Sequence, residues 1–406
     1  MRAERVAVDA NRTVSDTEKT NLLDKKTNLL DKKTNLSVGK TNLLDLNRAD
    51  LDLFFADLGE RPYRTMQIMK WIYHRGVIDF ALMTDLSKVL RARLAEIAEI
   101  RLPGIVAEQC SVDGTRKWAI RVGNGNCVET VLIPGSGRNT LCVSSQVGCM
   151  LDCRFCSTGK QGFNGNLTAA EIIAQVWLVQ RRLQELGEAQ GITNVVLMGM
   201  GEPLLNFDAT VTATDLMMDD WAFGLSKRRV TISTAGVVPA IYELGKVTDV
   251  SLAVSLHAPD NSLRNELVPI NRKYPIEELL EACRHYLDGL GERRSITIEY
   301  TLMKGVNDSL EQADAVAGLL RGLRCKVNLI PFNPFPASGF ERPETETVKA
   351  FQNRLMNHGY ATMLRTTRGE DIDAACGQLV GAVEDRTRRQ ARYIARVQAQ
   401  GATETA

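Results

Sequence analysis

The stretch Leu141-Cys142-Val143-Ser144-Ser145-Gln146-Val147-Gly148-Cys149-Met150-Leu151-Asp152-Cys153-Arg154-Phe155-Cys156 runs from a β-rich segment, Leu141–Val147, straight into three cysteines spaced C-x3-C-x2-C. The same kind of short β-rich run returns at Asn194–Met198, Arg229–Ser233, Val250–Leu256, Ser295–Thr301 and Lys326–Ile330. Longer helical patterns separate the runs. One is Thr168–Leu186, where Thr168 and Glu171 have capping-box spacing and Gly187 supplies the stop. Six β-α repeats with apolar strands, buried on both faces, predict an α/β protein with a parallel sheet, a partial (β/α)6 barrel. In such a sheet the functional residues gather just past the C-terminal ends of the strands.

Outward from this core, assigned to residues 141–380, the texture changes. Trp118–Val122 and Val128–Ile133 alternate with period two and predict antiparallel strands in a β-rich connecting segment, 101–140. Residues 41–100 predict an N-terminal helical accessory domain: Leu51, Phe54, Phe55 and Leu58 fall at helical spacing and Gly59 ends the run. Arg64, Lys70 and Arg75 in its next helix are either solvated charges or cations aimed at RNA phosphates. Residues 1–40 form a leader with a seven-residue repeat. Lys19-Thr20-Asn21-Leu22-Leu23-Asp24 returns at Lys26, partly at Lys33, and again at Lys40. Four short copies with polar residues beside the Leu pair favour a duplicated, disordered leader over a coiled coil. Residues 381–406 read as a basic C-terminal helix and tail: Arg386, Arg388, Arg389, Arg392 and Arg396 have no acid between them.

The whole chain has 406 residues, 50 Lys and Arg against 49 Asp and Glu, 44% hydrophobic and 24% charged residues. These are globular proportions, and they exclude wholesale disorder and a single-sign electrostatic body. Any RNA binding must then come from local patches, such as Lys227-Arg228-Arg229 or the C-terminal arginines. No apolar stretch is long enough to span a membrane and the N-terminus lacks a signal-peptide core, so a cytoplasmic location is expected.

Nine cysteines in a reducing compartment call for metal or redox chemistry rather than staples. Cys149, Cys153 and Cys156 lie close together with no fourth Cys or His nearby, whereas structural zinc requires four ligands. An iron–sulfur cubane held by three thiolates, with one iron open, suits the spacing better. Gly201 and Glu202 follow one strand, Ser233 ends the next, Ser255-Leu256-His257 end another, and Asn333 follows Lys326–Ile330. Taken alone, each is an ordinary strand-end residue or a ligand contact. Cys142 and Cys376 are inert small hydrophobes or reactive thiols. Glu129 is a solvent-facing charge or a functional acid.

These motifs resemble the radical S-adenosylmethionine (SAM) superfamily. Gln146-Val147-Gly148-Cys149, Cys156-Ser157-Thr158-Gly159, Met198-Gly199-Met200-Gly201-Glu202-Pro203, Ser255-Leu256-His257-Ala258-Pro259 and Asp373-Ala374-Ala375-Cys376-Gly377 resemble, within it, the dual-specificity RNA adenine-C2 methyltransferase family. The likeness runs from about residue 41 to about 390 and leaves the repeat before residue 41 outside. It implies a radical SAM barrel, one [4Fe-4S] cluster on Cys149, Cys153 and Cys156, and SAM bound by Gly201, Glu202, Ser233, Ser255, Leu256, His257 and Asn333, with two SAM molecules used per turnover. It implies that Cys376 carries a methyl group taken from one SAM, that a 5′-deoxyadenosyl radical from the second activates that group for addition to C2, that Glu129 accepts the C2 proton, and that Cys142 resolves the adduct through a disulfide. Implied substrates are 23S rRNA and the adenosine following the tRNA anticodon, with an electron donor such as flavodoxin; a monomer is expected. Cys110, Cys127, Cys283 and Cys325 match no role and are read as packing residues. Two other readings remain: a methyltransferase acting on C8 of the same rRNA adenosine, and a noncatalytic iron–sulfur RNA-binding factor.

Overall fold

The computed structural model describes residues 39–336, 338–379, 381, 389, 391, 392, 394 and 395. Three of the four repeat copies, and Arg386, Arg388 and Arg396, lie outside the described residues.

One ten-stranded sheet organises the described residues. Seven strands run parallel and follow chain order across it: Arg138–Cys142, Asn194–Leu197, Val230–Thr234, Ser251–Ser255, Ile296–Leu302, Cys325–Pro331 and Thr362–Leu364. Val195, Leu197, Val230, Ile232, Leu252, Val254, Ile296 and Ile298 are fully or almost fully buried, as strands covered on both faces require. Helices such as Ala169–Glu185, Phe207–Met218, Val238–Val247 and Ile276–Asp288 return the chain between strands. The sheet stays open: among the described residues nothing pairs Thr362–Leu364 with the opposite edge strand. The expected α/β partial barrel is therefore observed, with a seventh parallel strand added at its edge.

The antiparallel strands Gly104–Cys110, Arg116–Arg121 and Cys127–Gly135 pair in sequence and join Arg138–Cys142, so they extend the same sheet. The run expected as one strand, Leu141–Val147, is divided. Its first part ends at Cys142, and Gln146–Gly148 pairs instead with Phe163–Asn166 in a separate ribbon. Between them, Ser144 donates its backbone N–H to the Gln175 side chain (2.8 Å), while Ser145 and Gln146 donate to the Met200 carbonyl. The apolar alternation continues through the break, but the hydrogen-bond partners change.

The capping box at Thr168 forms as expected, with Glu171 N–H on Thr168 Oγ1 (3.2 Å) and Thr168 N–H on Glu171 Oε2 (3.0 Å). In the N-terminal module, helices Arg48–Asp57, Tyr63–Met69 and Lys88–Ile97 bury Leu51, Phe55, Ile68, Met69 and Leu94. Gly59 follows the first helix at φ +75°, a left-handed residue of the kind that ends helices. Trp177 Nε1 on the core helix donates to the Ile72 carbonyl (2.9 Å), which fastens the module to the sheet.

Candidate active site at the strand ends

Gly148 begins the site. A Cβ there would lie 1.8 Å from the Gly162 carbonyl oxygen, so only glycine allows the two ribbon strands to approach this closely. Cys149 N–H then reaches the same carbonyl (2.9 Å) and the three-cysteine loop begins. Leu151, Cys153 and Phe155 pack on an apolar nest of Ala235, Ala258, Leu267, Val268, Met303 and Phe332. Cys156 precedes the short helix Ser157–Gln161, and its N–H bonds the Cys153 carbonyl (3.2 Å).

The three thiols are half-buried. Burial pushes Cys149 and Cys153 above the usual thiol range, and the neighbouring thiols add to the shift. Thiols raised in this way need a cation to become thiolates. Among the described residues no three His, Cys, Asp or Glu side chains converge on one point as ligands of a single metal ion would. A cubane instead takes each thiolate on a different iron. The buried guanidinium of Arg264 opposes the rise at Cys153, but by less than Cys156 and Glu202 add to it, so the thiolate set depends on the positive charge of the group it binds. The donor set fits an iron–sulfur cluster with one open iron.

The strand ends supply a shelf beside this loop. Gly201 has φ +98° and a Cβ there would come within 2.4 Å of Gln146, so the backbone is forced open at this turn. Glu202 is buried, and its two oxygens accept from Ala235 N–H (2.7 Å) and Leu204 N–H (3.1 Å). Ser233 Oγ donates to Glu299 Oε2 (2.8 Å). The Ser255 and Leu256 carbonyls are held by Arg264. His257 has φ +60°, and its Nδ1 accepts from Thr301 N–H (2.9 Å), which leaves the proton of the neutral ring on Nε2. Burial, then Arg264, lower its pKa to about 3. Its ring meets Phe155 edge-on at 4.5 Å, joining the shelf to the cysteine loop.

Glu202 gives a pH signature. Burial outweighs its hydrogen bonds and raises its pKa to about 7, against an ordinary value of 4.5. The folded protein therefore holds a proton that the unfolded chain releases. The associated stability is fully present below pH 4.5, declines as pH rises through about 7, and is level above that. Compared with Glu202→Gln, the wild type should lose roughly 2–3 kcal/mol of relative stability between pH 4.5 and 7.5. Urea unfolding of both proteins across that range checks it; parallel curves would refute it.

A cavity of about 300 Å³ opens next to the shelf, and it brings together Cys142, Cys156, Asn333, Arg365 and Cys376. Cys142 enters from the end of its strand, Cys376 from the loop after residue 368. Ser157 N–H donates to the Gly377 carbonyl (2.7 Å) and Asn333 Nδ2 to the Cys376 carbonyl (3.1 Å), so the cysteine loop and the Cys376 loop are tied to each other. Asn333 Oδ1 also accepts from Arg342 (3.0 Å) and Thr367 (3.0 Å), which makes this residue a support for Cys376 within the cavity wall. Burial raises the Cys376 thiol, and Arg365 opposes that shift. Cys142 is pushed up to about 12 by burial and by Cys376, again opposed by Arg365. All nine cysteines are free.

Glu129 does not project into solvent: its side chain is 12% exposed and pairs with Lys117 Nζ (3.2 Å). Sheet register explains its placement. Val131 sits opposite Lys117 on one side and opposite Cys142 on the other, and Glu129 shares the face of Val131. That face lines the cavity through Val131, Ile133 and Cys142. Lys117 Nζ also reaches the Asp373 carbonyl (3.4 Å), so one buried ammonium spans Glu129 and the Cys376 loop.

Lys117, Arg264, Glu299 and Arg365 were not singled out from sequence. A charged residue inside an apolar alternation, as at Lys117, was the available signal for one of them. Two readings need correction. Arg389 is no free phosphate contact: its guanidinium reaches the carbonyls of Cys149 (3.3 Å), Leu151 (3.2 Å) and Gly159 (3.1 Å), clamping the cysteine loop. Cys110 is exposed, unlike buried Cys127 and Cys283. Arg64 pairs with Glu60 (3.1 Å), while Lys70 and Arg75 lie over Trp221 (4.2 Å) and Trp71 (3.9 Å). Lys227, in the exposed 227–229 patch, pairs with Asp249.

Comparison with known proteins places these features. Residues 143–315 match the radical SAM superfamily model, and residues 41–100 match the ribosomal RNA large subunit methyltransferase N-terminal domain. A solved radical SAM methyltransferase from Sphaerobacter thermophilus aligns with TM-score 0.77 and 45% identity, over 84% of this chain and 99% of that one. The fold and its three-cysteine loop are those of a radical SAM enzyme, a class that carries a [4Fe-4S] cluster and uses SAM. Dual-specificity RNA methyltransferase RlmN from Marinobacter nauticus is 61% identical over 87% of this chain and 96% of its own length. The protein of that name from Pseudomonas fluorescens is 60% identical over 87% and 93%. The chain belongs to the RlmN family of RNA methyltransferases.

Proposed function

We propose that the protein methylates C2 of an adenosine in 23S rRNA and of the adenosine following the anticodon in tRNAs. The observation that carries this reading is that two cysteines from distant segments, Cys142 and Cys376, line one cavity with Cys156 of the three-cysteine loop. C2 of adenine is electron-poor and does not attack the SAM methyl group, so the methyl group must be activated on the protein.

Cys149, Cys153 and Cys156 hold the cluster, and Gly201, Glu202, Ser233, Ser255, Leu256, His257 and Asn333 form the SAM shelf. When bound, the cluster supplies the electron that opens SAM reductively. Cys376, with Arg365 as counter-charge, takes a methyl group by displacement, which requires its thiolate. The 5′-deoxyadenosyl radical removes one hydrogen from the S-methyl group and leaves as 5′-deoxyadenosine; the S-bound carbon then bonds to C2, and one electron of the adduct would return to the cluster. Glu129 accepts the C2 proton, and Lys117 holds its carboxylate on the cavity side of the sheet. Cys142 then attacks the Cys376 sulfur as a thiolate; the S–S bond forms as the S–C bond breaks, the released carbon takes up a proton to become the C2 methyl group, and the product leaves. The disulfide is transient and must be reduced before the next turnover, and an electron donor such as flavodoxin is a partner of the enzyme. A target base leaving its stack reaches such a cavity most cheaply from single-stranded loops.

The enzyme acts as a cytoplasmic monomer, and no helix among the described residues is long and apolar enough to cross a membrane. Its organisation is a leader (1–40), a helical accessory domain (41–100), a β-rich segment (101–140), the barrel core (141–380) and a basic tail (381–406). Mass spectrometry of nucleosides after anaerobic reaction should give 2-methyladenosine together with 5′-deoxyadenosine. 8-Methyladenosine would make it the C8 enzyme, and no 5′-deoxyadenosine would make it a noncatalytic factor. Reconstituted protein should contain about four irons and four sulfides per chain; stoichiometric zinc without iron would overturn the ligand assignment.

A further inference from the structure

The fourth copy of the leader repeat, Lys40-Thr41-Asn42-Leu43-Leu44-Asp45, is docked on the body of the protein, and every one of its six residues makes a contact there. Lys40 Nζ donates to the Ala95 carbonyl (2.5 Å). Thr41–Asn42 pairs parallel with Ala98–Glu99. The Asn42 amide both donates to and accepts from the Arg101 backbone, each at 3.1 Å. Leu43 and Leu44 are completely buried. Asp45 Oδ1 accepts from Ala170 N–H (2.7 Å), one of the unpaired N–H groups opening helix Ala169–Glu185. This segment therefore joins the helical module to the first core helix.

Residues 19–24 and 26–31 repeat all six of these residues without change. The copy at 33–38 departs at Ser37 and Val38, the positions of fully buried Leu44 and helix-capping Asp45. The two intact copies thus carry the complete set of groups that the site contacts, and the diverged copy lacks two of them.

We propose that this docking site is served by a reserve within the same chain: Lys26–Asp31 takes the place of Lys40–Asp45 when the resident copy is displaced or damaged. The resident copy wins in the intact protein because Leu46 and Asn47 continue directly from it and no loop has to be closed. Replacement requires residues 32–45 to loop out. The entropic cost of such closure grows only logarithmically with length, and the tether keeps the reserve copy at high local concentration.

The test uses the full chain throughout. Leu44→Asp disables the resident copy; replacing Leu22, Leu23, Leu29 and Leu30 by Ser disables the reserve. The reserve substitutions alone should leave the melting midpoint unchanged, whereas combined with Leu44→Asp they should lower it about twice as far as Leu44→Asp does alone. Hydrogen exchange of residues 26–31 should slow in the Leu44→Asp protein. If Leu44→Asp prevents folding, Asn42→Ala with Asp45→Ala removes the polar contacts and keeps the buried pair. Equal midpoint losses in both backgrounds, with unchanged exchange at 26–31, would overturn the proposal. Protection that appears only with concentration-dependent dimerisation would overturn its same-chain form.

Discussion

Cys376→Ala should abolish RNA methylation, a loss of roughly a thousandfold or more, while the iron–sulfur absorbance is retained. Cys142→Ala should fail differently. Methyl transfer to Cys376 and addition to adenine come before the step that Cys142 performs, so this variant should accumulate RNA joined to Cys376 through a methylene bridge. The geometry supports separate roles. Cys142 is held at a strand end, opposite Val131, and Cys376 sits on a loop fixed by Asn333 and Ser157; the two meet only across the cavity. If both were packing residues, each alanine would remove one small buried group and cost roughly 1–2 kcal/mol of stability with activity largely intact. A denaturing gel separates the outcomes. A ribonuclease-sensitive shifted band should appear with Cys142→Ala and vanish in the double variant. Wild-type turnover by either single variant would defeat the assignment.

How much of this was legible in the sequence depends on which force placed each residue. The parallel strands were legible because both faces are buried, so their β-branched runs stand out against amphipathic helices. The three-cysteine loop and the Gly201-Glu202 turn were legible because their chemistry depends on spacing along the chain. Thr362–Leu364 was not: it is three residues long with Met363 and Leu364 exposed, yet it carries Arg365 to the cavity. The end of the first core strand was obscured because the alternation of Leu141–Val147 outlasts its strand pairing. Glu129 looked solvent-facing because a period-two pattern identifies a face without saying what covers it. Here the Cys376 loop and Lys117 cover it, and that depends on a contact 256 residues away in the chain.

Arg264 is the plainest case of a residue hidden by its local context. In Asp260-Asn261-Ser262-Leu263-Arg264-Asn265-Glu266-Leu267 it looks like one more charge on a short polar helix. Its side chain is instead completely buried, and it donates to four oxygens: Leu256 O (3.1 Å), Asn271 Oδ1 (2.7 Å), Ala235 O (2.7 Å) and Ser255 O (2.8 Å). Three of these are backbone carbonyls at the C-terminal ends of two adjacent parallel strands: Ser255 closes one strand, and Leu256 and Ala235 lie just past the two. One planar cation thus satisfies the ends of two strands and sets the spacing of the shelf. Burial lowers its pKa only to about 10, so it remains charged at neutral pH. Arg264→Met keeps the length and apolar stem but leaves four buried acceptors without a donor, at about 1 kcal/mol each. The expected loss is therefore about 3–5 kcal/mol. Arg264→Lys can satisfy some of the four and should fall between. Urea unfolding of the anaerobically prepared proteins measures both; Arg264→Met within about 1 kcal/mol of wild type would show that water or rearranged backbone replaces the guanidinium.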